Sequence, residues 1–127
     1  MRKRGFIVTE EWLRENPNHI FVFGDNLDRT GKGGGAKLRH VPNTYGFITK
    51  KHPNNNDKSF YDRAEYVYVL QSELKKLLYH MEDNLDKTYM ISQLGNGLAN
   101  KYDIFPLIDV AFKNLERQQP TRVVLLW

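Results

Sequence analysis

His19-Ile20-Phe21-Val22-Phe23 is an almost wholly apolar run that stops at Gly24-Asp25-Asn26, and shortly afterwards the chain passes through Gly31-Lys32-Gly33-Gly34-Gly35-Ala36. Ile20 to Phe23 is apolar at every position, which suits a strand buried on both faces, as the central strand of a parallel or mixed sheet must be. The glycines lead into Lys37-Leu38-Arg39. They are therefore expected where a strand ends and a helix begins, a place where exposed amide donors attract anions. The arrangement recurs after Tyr89-Met90-Ile91, in Leu94-Gly95-Asn96-Gly97-Leu98. Two such turns can meet at the carboxyl edge of one sheet, and that edge is where the functional site is expected.

Working outward, Gly5-Phe6-Ile7-Val8 reads as a first strand. Thr9 before Glu10, Glu11 and Trp12 reads as the N-cap of a short helix that Asn16-Pro17-Asn18 ends. Asn43 to Lys50 reads as a strand interrupted by Gly46, and His52 to Lys58 as an exposed loop. Ser59 or Asp62 then caps a long helix whose apolar stripe is Ala64, Val67, Leu70, Leu74, Leu77, Leu78 and Met81. Thr88 to Ser92 forms the next strand. Asp103 caps a helix with Pro106 in its first turn and a stripe of Ile104, Leu107, Ile108, Ala111, Phe112 and Leu115. Pro120 closes that helix, and Arg122 to Trp127 is the last strand. Strands alternating with helices imply one three-layer α/β/α domain over residues 1–127, built on a mixed, mostly parallel sheet.

The 127 residues suffice for one domain with a real core, and 40% apolar with 27% charged residues is an ordinary globular composition. No apolar run is long enough to span a bilayer, and Met1-Arg2-Lys3-Arg4 leads into only a short apolar segment. The expectation is a cytoplasmic protein without a membrane partner, acting as a monomer. There is no cysteine, and the four histidines are scattered, so neither a structural metal nor a cofactor is expected. The net charge of +4 favours an anionic ligand. Basic residues at Arg2, Lys3, Arg4, Lys50 and Lys51 leave nucleic acid as a partner, although a solvated surface is the commoner use of such charge.

Asp25 and Asn26 suit either sugar hydroxyls or a turn of their own backbone. Four glycines between Gly31 and Gly35 cost chain entropy that a merely structural turn avoids, and their missing side chains let a diphosphate approach the main chain. The spacing matches neither the phosphate loop of nucleoside triphosphatases nor the dinucleotide-binding Gly-x-Gly-x-x-Gly pattern. Thr49-Lys50-Lys51 ends a strand, so only one of the two lysines should point into the cleft. A lysine attacks carbon only when neutral, which requires a pKa lowered by burial or by a neighbouring cation such as Lys51 or Lys32.

The order of these motifs resembles the macrodomain superfamily, and within it the branch of ADP-ribosyl-glutamate and DNA ADP-ribosyl hydrolases. The likeness covers about Gly24 to Trp127 and rests on Thr30 to Ala36, on Phe47-Ile48-Thr49-Lys50-Lys51-His52 and on Gly95-Asn96-Gly97-Leu98. The resemblance implies metal-independent removal of ADP-ribose from a protein or nucleic-acid acceptor, with Lys50 attacking the anomeric carbon of the distal ribose. It implies ligand contacts from Gly24, Asp25, Asn26, Gly31, Lys32, Gly33, Gly34, Gly35, Ala36, Thr49, Gly95, Asn96, Gly97, Leu98 and Ala99. Two positions depart from the pattern. Ala99 stands where the branch carries an acid, which leaves Asp25 or Asp103 to supply it. Val8-Thr9-Glu10 has no counterpart of the family's adenine-reading Gly-Asp, which leaves Tyr102 or Phe105 as an aromatic platform. A module that binds or sequesters ADP-ribose without hydrolysis, and a basic nucleic-acid-binding protein whose glycine loops are structural, are the alternatives.

Overall fold

The computed structural model describes residues 1–127. Its sheet has four strands in the order β2-β1-β3-β4, namely β1 (His19–Asn26), β2 (Thr44–Lys50), β3 (Thr88–Ile91) and β4 (Val123–Leu125), and every pairing is parallel. The helices are α1 (Glu10–Glu15), α2 (Arg63–Glu82) and α3 (Phe105–Gln118). Alternate residues of the central strands enter separate cores, as the period of two requires. Ile20, Val22, Tyr89 and Ile91 join α2 and α3 on one face, while Phe21, Phe23 and Met90 join Leu13 of α1, Ala36 and Leu38 on the other. The chain is thus an α/β/α sandwich, thin on the side of α1.

The connection from β1 to β2 runs over the thin face toward one edge of the sheet. The connections from β2 to β3 and from β3 to β4 run over the opposite face toward the other edge. Changing face together with direction is what right-handed crossovers demand. It creates a switch point between β1 and β3, whose carboxyl ends open onto a crevice.

Local chemistry explains the element boundaries. The Trp12 amide donates to Thr9 Oγ1 (3.1 Å), so Thr9 caps α1. Asp62 caps α2 in a reciprocal box with Glu65.

Four expectations are corrected. Gly5 to Val8 is not a strand: Gly5 has a φ of +75° inside a turn closed from Phe6 N to Lys3 O, and Val8 buries its side chain in the thinner core. Arg2 instead bridges to Leu125 beside β4. The buried stripe of α2 is Tyr66, Leu70, Glu73, Leu77 and Met81, leaving Ala64, Val67 and Leu78 exposed. Two polar members, Tyr66 and Glu73, hydrogen bond to the edge strand, which rotates the helix away from the purely apolar stripe. Asp103 does not cap α3, because it adopts a left-handed conformation (φ 60°) and the Phe105 amide donates to Asn100 Oδ1 instead. Finally, the first glycine run opens only a five-residue 3-10 turn, Gly34–Leu38, and not an α-helix.

Candidate functional site

The two glycine turns leave the carboxyl ends of β1 and β3, the neighbouring strands at the switch point, and line one cleft of about 520 Å³. The cleft brings together Gly24, Asp25 and Asn26 from the end of β1, Gly31 to Ala36, Thr49 and Lys50 from β2, and Gly95, Gly97, Leu98 and Ala99. Asn96 is the exception among the expected contacts. It is exposed and outside the lining, and its amide donates to Gln93 O (3.4 Å), which closes the turn.

The amides of Gly31, Lys32, Gly33, Gly34 and Gly35 donate to no acceptor in the chain, nor do those of Gly95, Gly97, Leu98 and Ala99. Backbone donors left open along a concave surface are a nest for anionic oxygens. The glycines differ in their reasons. A Cβ at Gly33 or Gly97 meets nothing within 4 Å. At Gly35 it would press on Phe23 Cβ at 2.9 Å, and at Gly95, where φ is +80°, it would overlap Ile108 Cδ1. Gly35 and Gly95 are therefore required by packing, and Gly97 has backbone angles (φ −89°, ψ −130°) outside the usual regions, whereas at Gly33 neither packing nor conformation excludes a side chain.

Asp25 lies beneath the first loop with its side chain 1% exposed. Arg39 grips it with two bonds of 2.7 Å, Arg29 Nη1 adds a third at 3.2 Å, and the Asn26 amide donates to Oδ1 at 2.8 Å. Burial alone would raise the pKa of this carboxyl, but the hydrogen bonds from Arg39, the Asn26 amide and Arg29 outweigh it and leave the pKa lowered. Asp25 is thus held as an ion pair by two arginines at the floor of the cleft, so the acid role expected of it would have to be played by a carboxylate already engaged. The ion pair shapes the loop: Arg39 Nη2 (3.1 Å) and Asn26 Nδ2 (2.8 Å) both donate to Thr30 O, just before the glycines. Asn26 Oδ1 accepts from the Asp28 amide (3.0 Å), so its amide group is spent on the turn.

Lys50 and Lys51 part company as the strand period demands. Lys51 turns away to pair with Glu65 (2.9 Å), and that hydrogen bond raises its pKa. Lys50 lines the cleft, donates from Nζ to Asn54 O (2.9 Å) and lies 4.8 Å from the centre of the Phe60 ring. Burial lowers its pKa, which is the change a nucleophilic amine requires. Thr49, buried beside it, donates from its hydroxyl to Asp25 O at 3.4 Å.

Neither acid that the resemblance offers has a free carboxylate in the cleft, since Asp25 is held by Arg39 and Arg29 and Asp103 pairs with Arg63 (3.3 Å) outside it. Tyr102 and Phe105 do not line the cleft either. Tyr102 stands edge-on to Phe60, and Phe105 packs against Trp127. Sequence reading missed Arg39 and Arg29, as well as Thr30, Pro53, Ser92 and Gln93 in the lining. The arginines sit four and fourteen residues from their carboxylate. The four-residue step was visible, but it carries weight only on a helix, which this segment is not.

No curated protein and no solved structure matches the chain. A family model does match, over residues 4–115, a span that includes every residue lining the cleft. The chain accordingly belongs to DUF7831, a family of unknown function.

Proposed function

We propose that the cleft binds ADP-ribose or a closely related nucleotide sugar, and that Lys50 removes it from a protein or nucleic-acid acceptor. The observation that carries this reading is the meeting of two glycine turns, both with unspent amides, in one cleft beside a lysine of lowered pKa. A pyrophosphate supplies the anionic oxygens such amides take. The volume lies within the range of small-molecule sites. The resemblance to macrodomain hydrolases in the order of motifs supports the same ligand.

In the reaction the neutral amine of Lys50 attacks the anomeric carbon of the distal ribose. The bond to the acceptor's carboxylate oxygen or base nitrogen breaks, and the acceptor leaves with the electron pair. Water then hydrolyses the lysyl adduct, returning the amine and free ADP-ribose.

Binding without turnover is the second reading. It is favoured by Ala99 at the acid position and by the capture of Asp25 by two arginines. Calorimetric titration with ADP-ribose, paired with release of ADP-ribose from a modified substrate, tests both. Saturable binding with release that vanishes in Lys50→Ala supports the hydrolase, and saturable binding without release supports the binding module. No affinity for ADP-ribose, with nucleic-acid binding that falls steeply with salt, would overturn both in favour of a basic nucleic-acid-binding protein.

A further inference from the structure

We infer that the cleft selects its ligand by the diphosphate and ribose and is indifferent to the nucleobase. This rests on the nucleotide-sugar reading above and names the ligand class more closely: base-general diphosphoribosyl compounds, not adenine nucleotides alone.

Reading a base requires an aromatic ring to stack on it, or donors and acceptors of fixed polarity facing its edge. No aromatic residue lines the cleft. The nearby phenylalanine rings are buried, and Tyr102, although exposed, stands outside the lining. Phe21 and Phe23 are buried beneath Gly35, and Phe60 is buried with the ammonium groups of Lys50 and Lys101 against it, at 4.8 and 5.2 Å from its centre. Tyr102 has Lys101 at 5.6 Å from its ring centre.

The acceptors that would recognise an exocyclic amino group are equally occupied. Asp25 is held by Arg39 and Arg29, Asp28 pairs with His52 (2.9 Å), Asp57 with Lys101 and Asp103 with Arg63. Glu10, close to where the family pattern would place its adenine-reading acid, is engaged by Arg14 (2.9 Å) and His40 (2.8 Å). Among the lining side chains, Thr30, Ser92 and Gln93 make no side-chain hydrogen bond within the chain, and each carries both a donor and an acceptor, while the free Lys32 ammonium is a charged donor on a long exposed side chain that suits phosphate better than a base edge. A hydroxyl that rotates and an amide that flips suit either polarity of base edge, so they discriminate little. The open main-chain amides are the opposite case: they are donors only, which suits phosphate oxygens.

The test is calorimetry of the intact protein with ADP-ribose and with the analogues in which adenine is replaced by hypoxanthine or uracil, together with the Tyr102→Ala and Gly33→Val variants. The expected result is affinity for the replaced-base analogues within about threefold of that for ADP-ribose, far from the roughly 10⁴-fold rejection shown by a site built to hydrogen bond one edge. Tyr102→Ala should leave all three affinities unchanged, and Gly33→Val should lose all three. A loss of about tenfold or more on changing the base, or in Tyr102→Ala, would show a base-reading or stacking contact and overturn the inference while leaving ADP-ribose binding intact. Equal affinities that survive Gly33→Val would place the binding outside the cleft and overturn it too. If no member of the series binds, the inference and the nucleotide-sugar reading fall together.

Discussion

A side chain added at Gly33 meets no neighbour and finds an extended backbone (φ −75°, ψ 142°) that valine adopts readily, whereas one added at Gly95 meets Ile108 at a φ of +80°. Gly33→Val should therefore fold with nearly unchanged thermal stability and lose ADP-ribose binding. Gly95→Val should cost about 3 kcal/mol from overpacking and left-handed strain combined. Urea unfolding and calorimetry on the two variants separate the glycine kept for a ligand from the one kept for packing. For Lys50 the sign follows from burial, which disfavours the ammonium form and lowers the pKa from 10.5. The neutral fraction then rises at lower pH than for a solvated lysine, so ADP-ribose release should climb along a limb centred below 10.5. A limb at the ordinary lysine value would show that burial does not lower the Lys50 pKa, and loss of the limb in Lys50→Ala tests whether Lys50 is its source.

At the scale of elements, β2 is an edge strand whose outward polar groups are met by side chains instead of another strand. Glu73 Oε1 accepts from the Ile48 amide (2.6 Å), Tyr66 Oη donates to Ile48 O (2.6 Å), and Arg29 Nη1 donates to Gly46 O (2.8 Å). Helix α2 thereby closes the edge and holds β2 in register, which places Thr49 and Lys50 at the cleft. Burial of the Tyr66 phenol drives its pKa well above the ordinary tyrosine value, so it remains a donor throughout the physiological range. Glu73→Leu leaves the Ile48 amide buried without an acceptor and should cost about 2 kcal/mol of stability, read as a lower urea midpoint at unchanged slope. Glu73 lies outside the cleft, so any fall in ADP-ribose affinity should be indirect, through the strand that carries Thr49 and Lys50, and should be spared in Glu73→Gln, whose amide oxygen still accepts from Ile48.

For the whole molecule, the opposite edge is closed by the start of the chain: Leu125 N donates to Met1 O and Lys3 N to Leu125 O, each at 2.8 Å. An open parallel edge is a template for pairing with another chain. Deleting residues 1–4 should therefore produce concentration-dependent self-association in light scattering, and an unchanged mass would show that the edge is protected in another way. The same closed edges leave the crevice between β1 and β3 as the face where sheet topology itself makes room for a ligand.

Much of the architecture was legible because it is local. Apolar runs marked the strands from Ile20, Tyr45, Tyr89 and Val123, and the cap at Thr9 and the stripe of α3 followed from neighbours three or four residues apart. The glycine turns were legible as breaks between strand and helix, and Gly33, with ordinary extended backbone and open space where a side chain would stand, is the glycine that neither packing nor conformation explains. What the sequence by itself determined was therefore the order of β1 to β4 and of the three α-helices, together with the two turns, but not the irregular start of the chain or the 3-10 turn after the first glycine run. Only the tertiary structure decided that these turns share a cleft, that Lys50 lines it while Lys51 does not, and that Arg39 and Arg29 hold Asp25. The physical reason is that propensity and periodicity act within a few residues. The pairing of a buried charge, and the orientation of α2 set by Tyr66 and Glu73, depend on groups that meet only after the chain has crossed the sheet.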